Sequence, residues 1–294
     1  MAVTSSSEIG FLGVGPEKTG TTWLHAVLAQ HPELWLPPRK ELSYFWQDID
    51  YPGETAMDRL TKDNWHHKRY RRYAKSRVKE WLRHPRYTWR HKGAVAWDLH
   101  HLLKKHDDDW YLSSFRGSPS QTPGEISPQY FFMPPQQVEK ALRMCPKAKI
   151  IITLREPRQW VWSFARMLVR DGEIALDSPE MENFIDTKIA TNSFAAAYRK
   201  WLSVFPEDQV KIFFFEDMTA DPWAFYLSVC EFLGLEARPS VRDTLDKRVN
   251  SGKPMAIPEH LQDRIRQGWS HDVRELEAML GRVPEEWLAE IAFA

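Results

Sequence analysis

A three-layer α/β fold, with a central parallel sheet flanked by helices, is what this sequence predicts. Three observations lead there. Short apolar runs from Ile9 to Val14, Lys149 to Leu154 and Val210 to Phe215 have the length and composition of buried strands. Each is followed by a stretch whose apolar residues recur at helical spacing, and strands alternating with helices imply parallel strands covered on both faces. The 294 residues suffice to bury a large core, and a single domain over 1–294 is the simplest organisation.

Taken in order, the first run leads into Gly15-Pro16-Glu17-Lys18-Thr19-Gly20 and then a helical pattern from Thr21 to Leu28, which His31-Pro32 closes because proline cannot continue a helix. From about Tyr51 to Ser120 the chain changes character and reads as a helical insertion. Between Lys62 and Lys92 it carries twelve Lys or Arg, opposed only by Asp63 and Glu80. The second run precedes a helix from Gln159 to Val169. The third precedes one from Asp221 to Leu233 that Gly234 ends. The stretch from Pro258 to Trp287 is charged and helical in pattern. No internal repeat or low-complexity tract interrupts the chain.

Composition narrows the function classes. Apolar residues make up 43% and charged residues 27%, which excludes wholesale disorder. Lys plus Arg equals Asp plus Glu at 40 each, a balance that argues against a dedicated nucleic-acid coat. Cys145 and Cys230 are too few for a disulfide framework or a zinc-finger site, and a reducing, cytoplasmic setting is expected. No apolar run reaches the ~18–20 residues of a membrane span, and no secretory signal is expected. Fourteen tryptophans point to a large aromatic core.

The chemistry starts at the first glycine turn. Strand, glycine turn and helix form an anion-binding device, since the first helical N–H groups lack intrahelical partners and the helix dipole adds positive charge there. Gly15 and Gly20 have the Walker A spacing, but Thr21 stands where that pattern has lysine, and the lysine lies inside the loop at Lys18. There it can reach a bridging oxygen. The strand ending at Leu154 is followed by Arg155 instead of a magnesium-binding aspartate, which suits a second phosphate. Taken alone, the Gly20-Thr21-Thr22 turn reads as a plain helix cap.

Pro16-Glu17-Lys18-Thr19-Gly20-Thr21-Thr22-Trp23-Leu24 closely resembles the 5′-phosphosulfate loop of sulfotransferases that use 3′-phosphoadenosine 5′-phosphosulfate (PAPS). Leu154-Arg155-Glu156-Pro157 with Ser163 resembles the 3′-phosphate motif of that family. The blocks Lys40-Glu41-Leu42-Ser43-Tyr44-Phe45, Gly124-Glu125-Ile126-Ser127-Pro128-Gln129-Tyr130 and Phe215-Glu216-Asp217-Met218 resemble its bacterial and carbohydrate-type branch, as does the C-terminal stretch from Glu275 to Trp287. The likeness runs from about Ile9 to Trp287 and is weakest between Tyr51 and Ser120. It implies a P-loop-like fold, PAPS as donor, adenosine 3′,5′-bisphosphate as product and no metal.

The resemblance also implies roles. Lys18 would face the leaving 5′-phosphate, and Thr19, Gly20, Thr21 and Thr22 would cradle it. Arg155 and Ser163 would hold the 3′-phosphate, with Ser251, Gly252 and Lys253 closing over it. Trp23 would either stack on adenine or pack in the core. Glu41 would be the general base, with His100 and His101 as secondary candidates. Glu125 would orient a substrate hydroxyl or a loop backbone. Relatives often carry lysine where Ile126 stands, so an acceptor less charged than a glycan is permitted. The acceptor is expected to be a hydroxyl-bearing glycan, lipid, polyketide or other small molecule, and not a nucleic acid. The rival readings are a P-loop kinase or NTPase, and a polyanion-binding module built on the basic 62–92 segment, where Trp65, Tyr70, Tyr73, Trp81, Tyr87 and Trp89 interleave with the cations as in stacking surfaces.

Overall fold

A computed structural model describes residues 8–46, 54–62, 65–83, 92–115, 120–245 and 255–291. Five parallel strands, β1 (Phe11–Gly13), β2 (Leu34–Trp35), β3 (Thr122–Ile126), β4 (Lys149–Leu154) and β5 (Val210–Phe214), form one sheet in the order β2-β3-β1-β4-β5. The predicted α/β architecture is therefore present, with all three expected strands at its centre and on one edge. β1 pairs Gly13 with Ile126 on one side and with Ile151 on the other. Helix α1 (Thr21–Leu28) follows β1. Helices α2 (Ala56–Thr61), α3 (Trp65–Arg83), α4 (Lys92–Leu103) and α5 (Asp108–Ser113) lie between β2 and β3. Then come α6 (Pro135–Met144), α7 (Pro157–Arg170), α8 (Pro179–Thr191), α9 (Phe194–Leu202), α10 (Phe215–Ala220), α11 (Pro222–Leu233), α12 (Arg242–Leu245), α13 (Glu259–Leu280) and α14 (Glu285–Ile291).

Strand alternation explains the layers. Successive side chains of a strand point to opposite faces. Leu12, Ile150 and Ile152 join one buried cluster with Trp160, Trp162, Trp201, Trp269 and Trp287. Phe11 and Ile151 join the other, with Trp23, Leu24, Phe213, Phe225 and Tyr226. The tryptophan-rich composition is thus concentrated on the face covered by α7, α9, α13 and α14. The C-terminal helical stretch is two helices, because Gly281 adopts a left-handed conformation (φ 73°) that ends α13.

The basic segment turns its described aromatics inward. Tyr70 is buried and donates to the Leu102 carbonyl at 2.6 Å. Tyr73 and Arg77 both bond the fully buried Asp98 carboxylate, at 2.5 and 2.7 Å. Arg59 threads beneath α4 and donates to the carbonyls of Glu54, Leu102 and Lys104. Arg72, Lys75, Lys79 and Arg83 face solvent. A stacking surface for bases needs exposed rings, so Tyr70 and Tyr73 do not support the polyanion reading. The Trp65 side chain, Tyr87 and Trp89 lie outside the described residues.

Gly15, at the exit from β1, lies so close to β4 that a Cβ there would come within 2.4 Å of the Thr153 amide nitrogen and hydroxyl. The loop seats on the sheet only because position 15 has no side chain. Gly15→Ala is expected to destabilise the protein by about 1–3 kcal/mol, the usual range for overpacking. It would be read as a lower urea midpoint at unchanged slope; an unchanged midpoint would show that the loop is not seated against β4.

Candidate active site

In open α/β sheets the ligand crevice lies at the carboxyl ends of the strands where the connections diverge. Here β1 connects toward β2, and β4 connects away from it toward β5, so the divergence falls between β1 and β4. The loop 14–20 leaves the end of β1, and Arg155 leaves the end of β4. β1 and β4 pair directly, which puts the loop and Arg155 at adjacent strand ends.

The loop is held from inside. Thr19 is fully buried, and its hydroxyl bonds the Pro16 carbonyl at 2.7 Å and the Thr153 hydroxyl at 2.8 Å. That hydroxyl is therefore committed to the frame, and the hydroxyls available to a ligand are those of Thr21 and Thr22. Trp160 of α7 donates its indole N–H to the Glu17 carbonyl at 2.7 Å. Lys18 (φ 70°) and Gly20 (φ 85°) both take left-handed conformations, and α1 begins at Thr21 with no side-chain cap on its first N–H groups. By contrast α7, α8, α9 and α11 are capped by the side chains of Glu156, Ser178, Ser193 and Asp221.

Lys18 and Arg155 touch a thioether and aromatic rings directly, while Glu17 and Asp171 act on Lys18, and Glu216 and Glu156 on Arg155, from further off. The Lys18 ammonium donates to the Met167 thioether at 3.1 Å and lies 5.6 Å from the Phe164 ring centre. Burial, with Arg170 nearby, draws its pKa below the ordinary lysine value. Arg155 stacks on Phe215 at 4.4 Å and forms no salt bridge among the described residues. The surface ion pair that Glu156 or Asp217 might have offered it is absent there: Glu156 caps α7 through the Arg158 and Gln159 amides, and Asp217 pairs with Arg282 at 3.6 Å. Burial lowers the Arg155 pKa too, and Arg166 adds to the lowering at both Lys18 and Arg155. Ser163 lies in the second turn of α7, half-buried, with no hydrogen-bond partner among the described residues. Arg166, one turn further on, is a site neighbour that the sequence reading missed.

Glu41 stands beside this cluster. Lys40 bridges the two, donating to Glu41 Oε1 at 2.7 Å and to the Thr21 and Thr22 hydroxyls at 3.4 and 3.2 Å. In the sequence the signal for Lys40 is its place directly before Glu41. The Lys40–Phe45 segment docks on the Gly124–Tyr130 block: the Leu42 amide donates to Glu125 Oε2 (3.3 Å), Ser43 to Ser127 Oγ (3.1 Å) and Phe45 to Tyr130 Oη (3.3 Å). Of the alternatives left open for Glu125, the structure shows the loop backbone.

Other candidates fall elsewhere. His101 is fully buried, stacks on Trp97 and is paired with the Arg39 guanidinium, while His100 bonds the Ser113 hydroxyl and the Trp110 carbonyl. These contacts hold His100 against α5 and His101 against Arg39, the residue just before Lys40. The histidine near Glu41 is His25 of α1, whose pKa is pushed down to about 4 by burial and by Lys40. Trp23 packs in the core edge-on to Phe225 and donates to the Leu245 carbonyl at 3.0 Å. Ile126 is 1% exposed and belongs to the core beneath α1, so its apolar character reports packing and carries no information on acceptor charge. Ser251, Gly252 and Lys253 lie outside the described residues.

A parallel sheet whose first strand runs through a glycine-hinged loop into a helix at the switch point is the P-loop-like α/β arrangement, here with a lysine, Lys18, inside the loop and an arginine, Arg155, at the end of the adjacent strand. A profile of the sulfotransferase family matches residues 11–239, and the chain belongs to that family. Among solved structures it is similar to the sulfotransferase from Alicyclobacillus acidocaldarius, at 24% identity over 95% of this chain and 98% of that one, with a TM-score of 0.64. It is also similar to the sulfotransferase domain from the curacin biosynthetic pathway, at 16% identity over 89% and 98% of the two chains with a TM-score of 0.55. A third likeness is to the sulfotransferase domain from the Synechococcus PCC 7002 olefin synthase, at 18% identity over 94% and 95% with a TM-score of 0.55. These likenesses establish a shared fold. No curated protein matches the chain. Among the described residues no helix is long and apolar enough to cross a membrane.

Glu216 sits behind Arg155, accepting the Glu156 amide at 2.8 Å. Burial pushes its pKa up to about 7. A carboxyl raised on folding favours the protonated form, so its contribution to stability is complete below about pH 4.5 and is lost as pH rises through about 7. Urea midpoints are expected to fall across that interval in the wild type and to fall less in Glu216→Gln. An identical decline in both proteins would remove Glu216 as its source.

Proposed function

We propose that this sulfotransferase takes a sulfuryl group from PAPS and passes it to the hydroxyl of an acceptor, with Lys18 and Glu41 as the catalytic residues. One observation carries the reading: Lys18, the uncapped start of α1, Arg155 and Ser163 stand on the loop and helices that leave the adjacent ends of β1 and β4, with Arg166 acting on both cations. That donor set fits a nucleotide carrying two separate phosphates. Arginine presents a planar fork to phosphate oxygens, and a helix start presents N–H groups.

PAPS, when bound, supplies a sulfuryl group attached to a good leaving phosphate. Everything else falls to the chain. Arg155 and Ser163 hold the 3′-phosphate. The amides of Gly20, Thr21 and Thr22 and the hydroxyls of Thr21 and Thr22 hold the 5′-phosphate. Glu41 accepts the proton of the acceptor hydroxyl as that oxygen bonds to sulfur. Lys18 stabilises the charge left on the bridging oxygen as the sulfur–oxygen bond to the phosphate breaks. The products are a sulfate ester and adenosine 3′,5′-bisphosphate. Lys40, touching Thr21, Thr22 and Glu41 together, links the phosphate end of the site to the base.

The reading is tested with radiolabelled PAPS against glycan, lipid, polyketide and phenol acceptors, using wild type and Glu41→Gln in parallel. Turnover is expected to persist in EDTA, where a kinase would stop. Lys18→Ala is expected to lower turnover by about 100-fold or more; a near-wild-type rate would take Lys18 out of the mechanism. Arg155→Ala is expected to weaken calorimetric binding of adenosine 3′,5′-bisphosphate with little change in acceptor preference. Unaltered affinity would refute the assignment of the 3′-phosphate site.

A further inference from the structure

We infer that Glu125 is the positioning residue of Glu41: a buried carboxylate that fixes the backbone on which the base is carried. The inference rests on the reading of Glu41 as base. Glu125 is 2% exposed and its two oxygens meet four donors. Oε1 accepts from the Tyr111 and Tyr130 hydroxyls at 2.7 and 2.9 Å. Oε2 accepts from the Ser127 hydroxyl at 2.7 Å and from the Leu42 amide at 3.3 Å. A carboxylate has about four acceptor positions, so the set fills it.

Two of those donors relay the hold. Ser127 Oγ, while donating to Glu125, accepts the Ser43 amide, and Tyr130 Oη, while donating to Glu125, accepts the Phe45 amide. One carboxylate thereby controls three amides just after Glu41, two by relay and one directly. The hold is needed because Glu41 (φ 63°) and Ser43 (φ 58°) both sit in the left-handed region that side-chain-bearing residues avoid. The hub is itself anchored to the strand that leads into the phosphate loop, since the Ser127 amide donates to the Gly13 carbonyl at 2.9 Å. Helix α5 completes it by supplying Tyr111. The helical stretch between β2 and β3 thus reaches the site through the seat of the base.

Glutamine at position 125 keeps the shape but replaces one acceptor oxygen with a donor amine, which breaks part of the set. In the full-length Glu125→Gln protein, hydrogen exchange at the Leu42, Ser43 and Phe45 amides is expected to accelerate about 10-fold or more, while the amides of α1 are unchanged. Turnover with the best acceptor from the screen is expected to drop about 10–100-fold, the cost of misplacing a reacting group. The KM for PAPS and the affinity for adenosine 3′,5′-bisphosphate are expected to stay within about threefold. Ser127→Ala, which cuts only the relay to Ser43, is expected to move the same quantities less, and it serves as the test if Glu125→Gln does not fold. Unchanged exchange at the three amides overturns the inference. So does an unchanged kcat per nucleotide-binding site despite faster exchange, which would leave Glu125 a purely structural group. Failure of the wild type to bind adenosine 3′,5′-bisphosphate would instead sink the donor assignment, and the exchange data would still decide whether Glu125 holds the segment.

Discussion

Positive charge concentrated at the carboxyl ends of β1 and β4, and packed directly against apolar groups, is the constraint around which this protein is organised. Lys18 and Arg155 are partly withdrawn from water, yet their neighbours are a thioether and aromatic rings. Such neighbours hold the stems of the side chains, while Glu17 and Asp171 act on Lys18, and Glu216 and Glu156 on Arg155, without a direct ion pair among the described residues. Electrostatic repulsion between these groups and Arg166 works against the folded state. The seating of the loop on β4, the buried hydroxyl pair of Thr19 and Thr153, and the indole bond to the Glu17 carbonyl all oppose that repulsion. Under the proposed function a dianionic ligand relieves it, so the same feature favours the occupied protein.

The Glu41 side of the site is built on the opposite principle. At the loop and the end of β4 the cations meet a thioether and rings, whereas around Glu125 every oxygen position is filled. Open valence serves recognition, and closed valence serves rigidity. Lys40 stands between the two regions, with one contact to Glu41 and two to the threonines at the start of α1.

Much of this was legible in the sequence, and the reasons for the remainder are physical. The strands β1, β4 and β5 were plain because parallel strands buried on both faces are continuous apolar runs. β3 was hidden, since Pro123 and Gly124 disfavour a strand; Pro123 is tolerated because its carbonyl accepts the Gly10 amide while it has no N–H to place. β2 is two residues long and carries no pattern of its own. Lys18, Arg155 and Ser163 could be placed because local strand–loop–helix geometry fixes where they point. Lys40 with the threonines, Arg166 beside both cations, and the mating of two blocks some 85 residues apart depend on tertiary packing, to which spacing along the chain is blind. Ile126 illustrates the reverse error: strand alternation turned it into the core, while Glu125 beside it faced the aromatic cluster.

The three left-handed residues Lys18, Glu41 and Ser43 have a consequence for any effort to make this enzyme hardier. Each such conformation costs roughly 1–2 kcal/mol for a residue with a side chain, and glycine would relieve it. Consensus or computational redesign that ranks substitutions by folding free energy alone will therefore nominate these positions for replacement. Two of them carry the proposed chemistry, so the gain in heat tolerance would be traded against turnover. A thermostabilisation campaign would do better to leave the three untouched and to work on the solvent-facing side of α3, where like charges sit a helical turn apart.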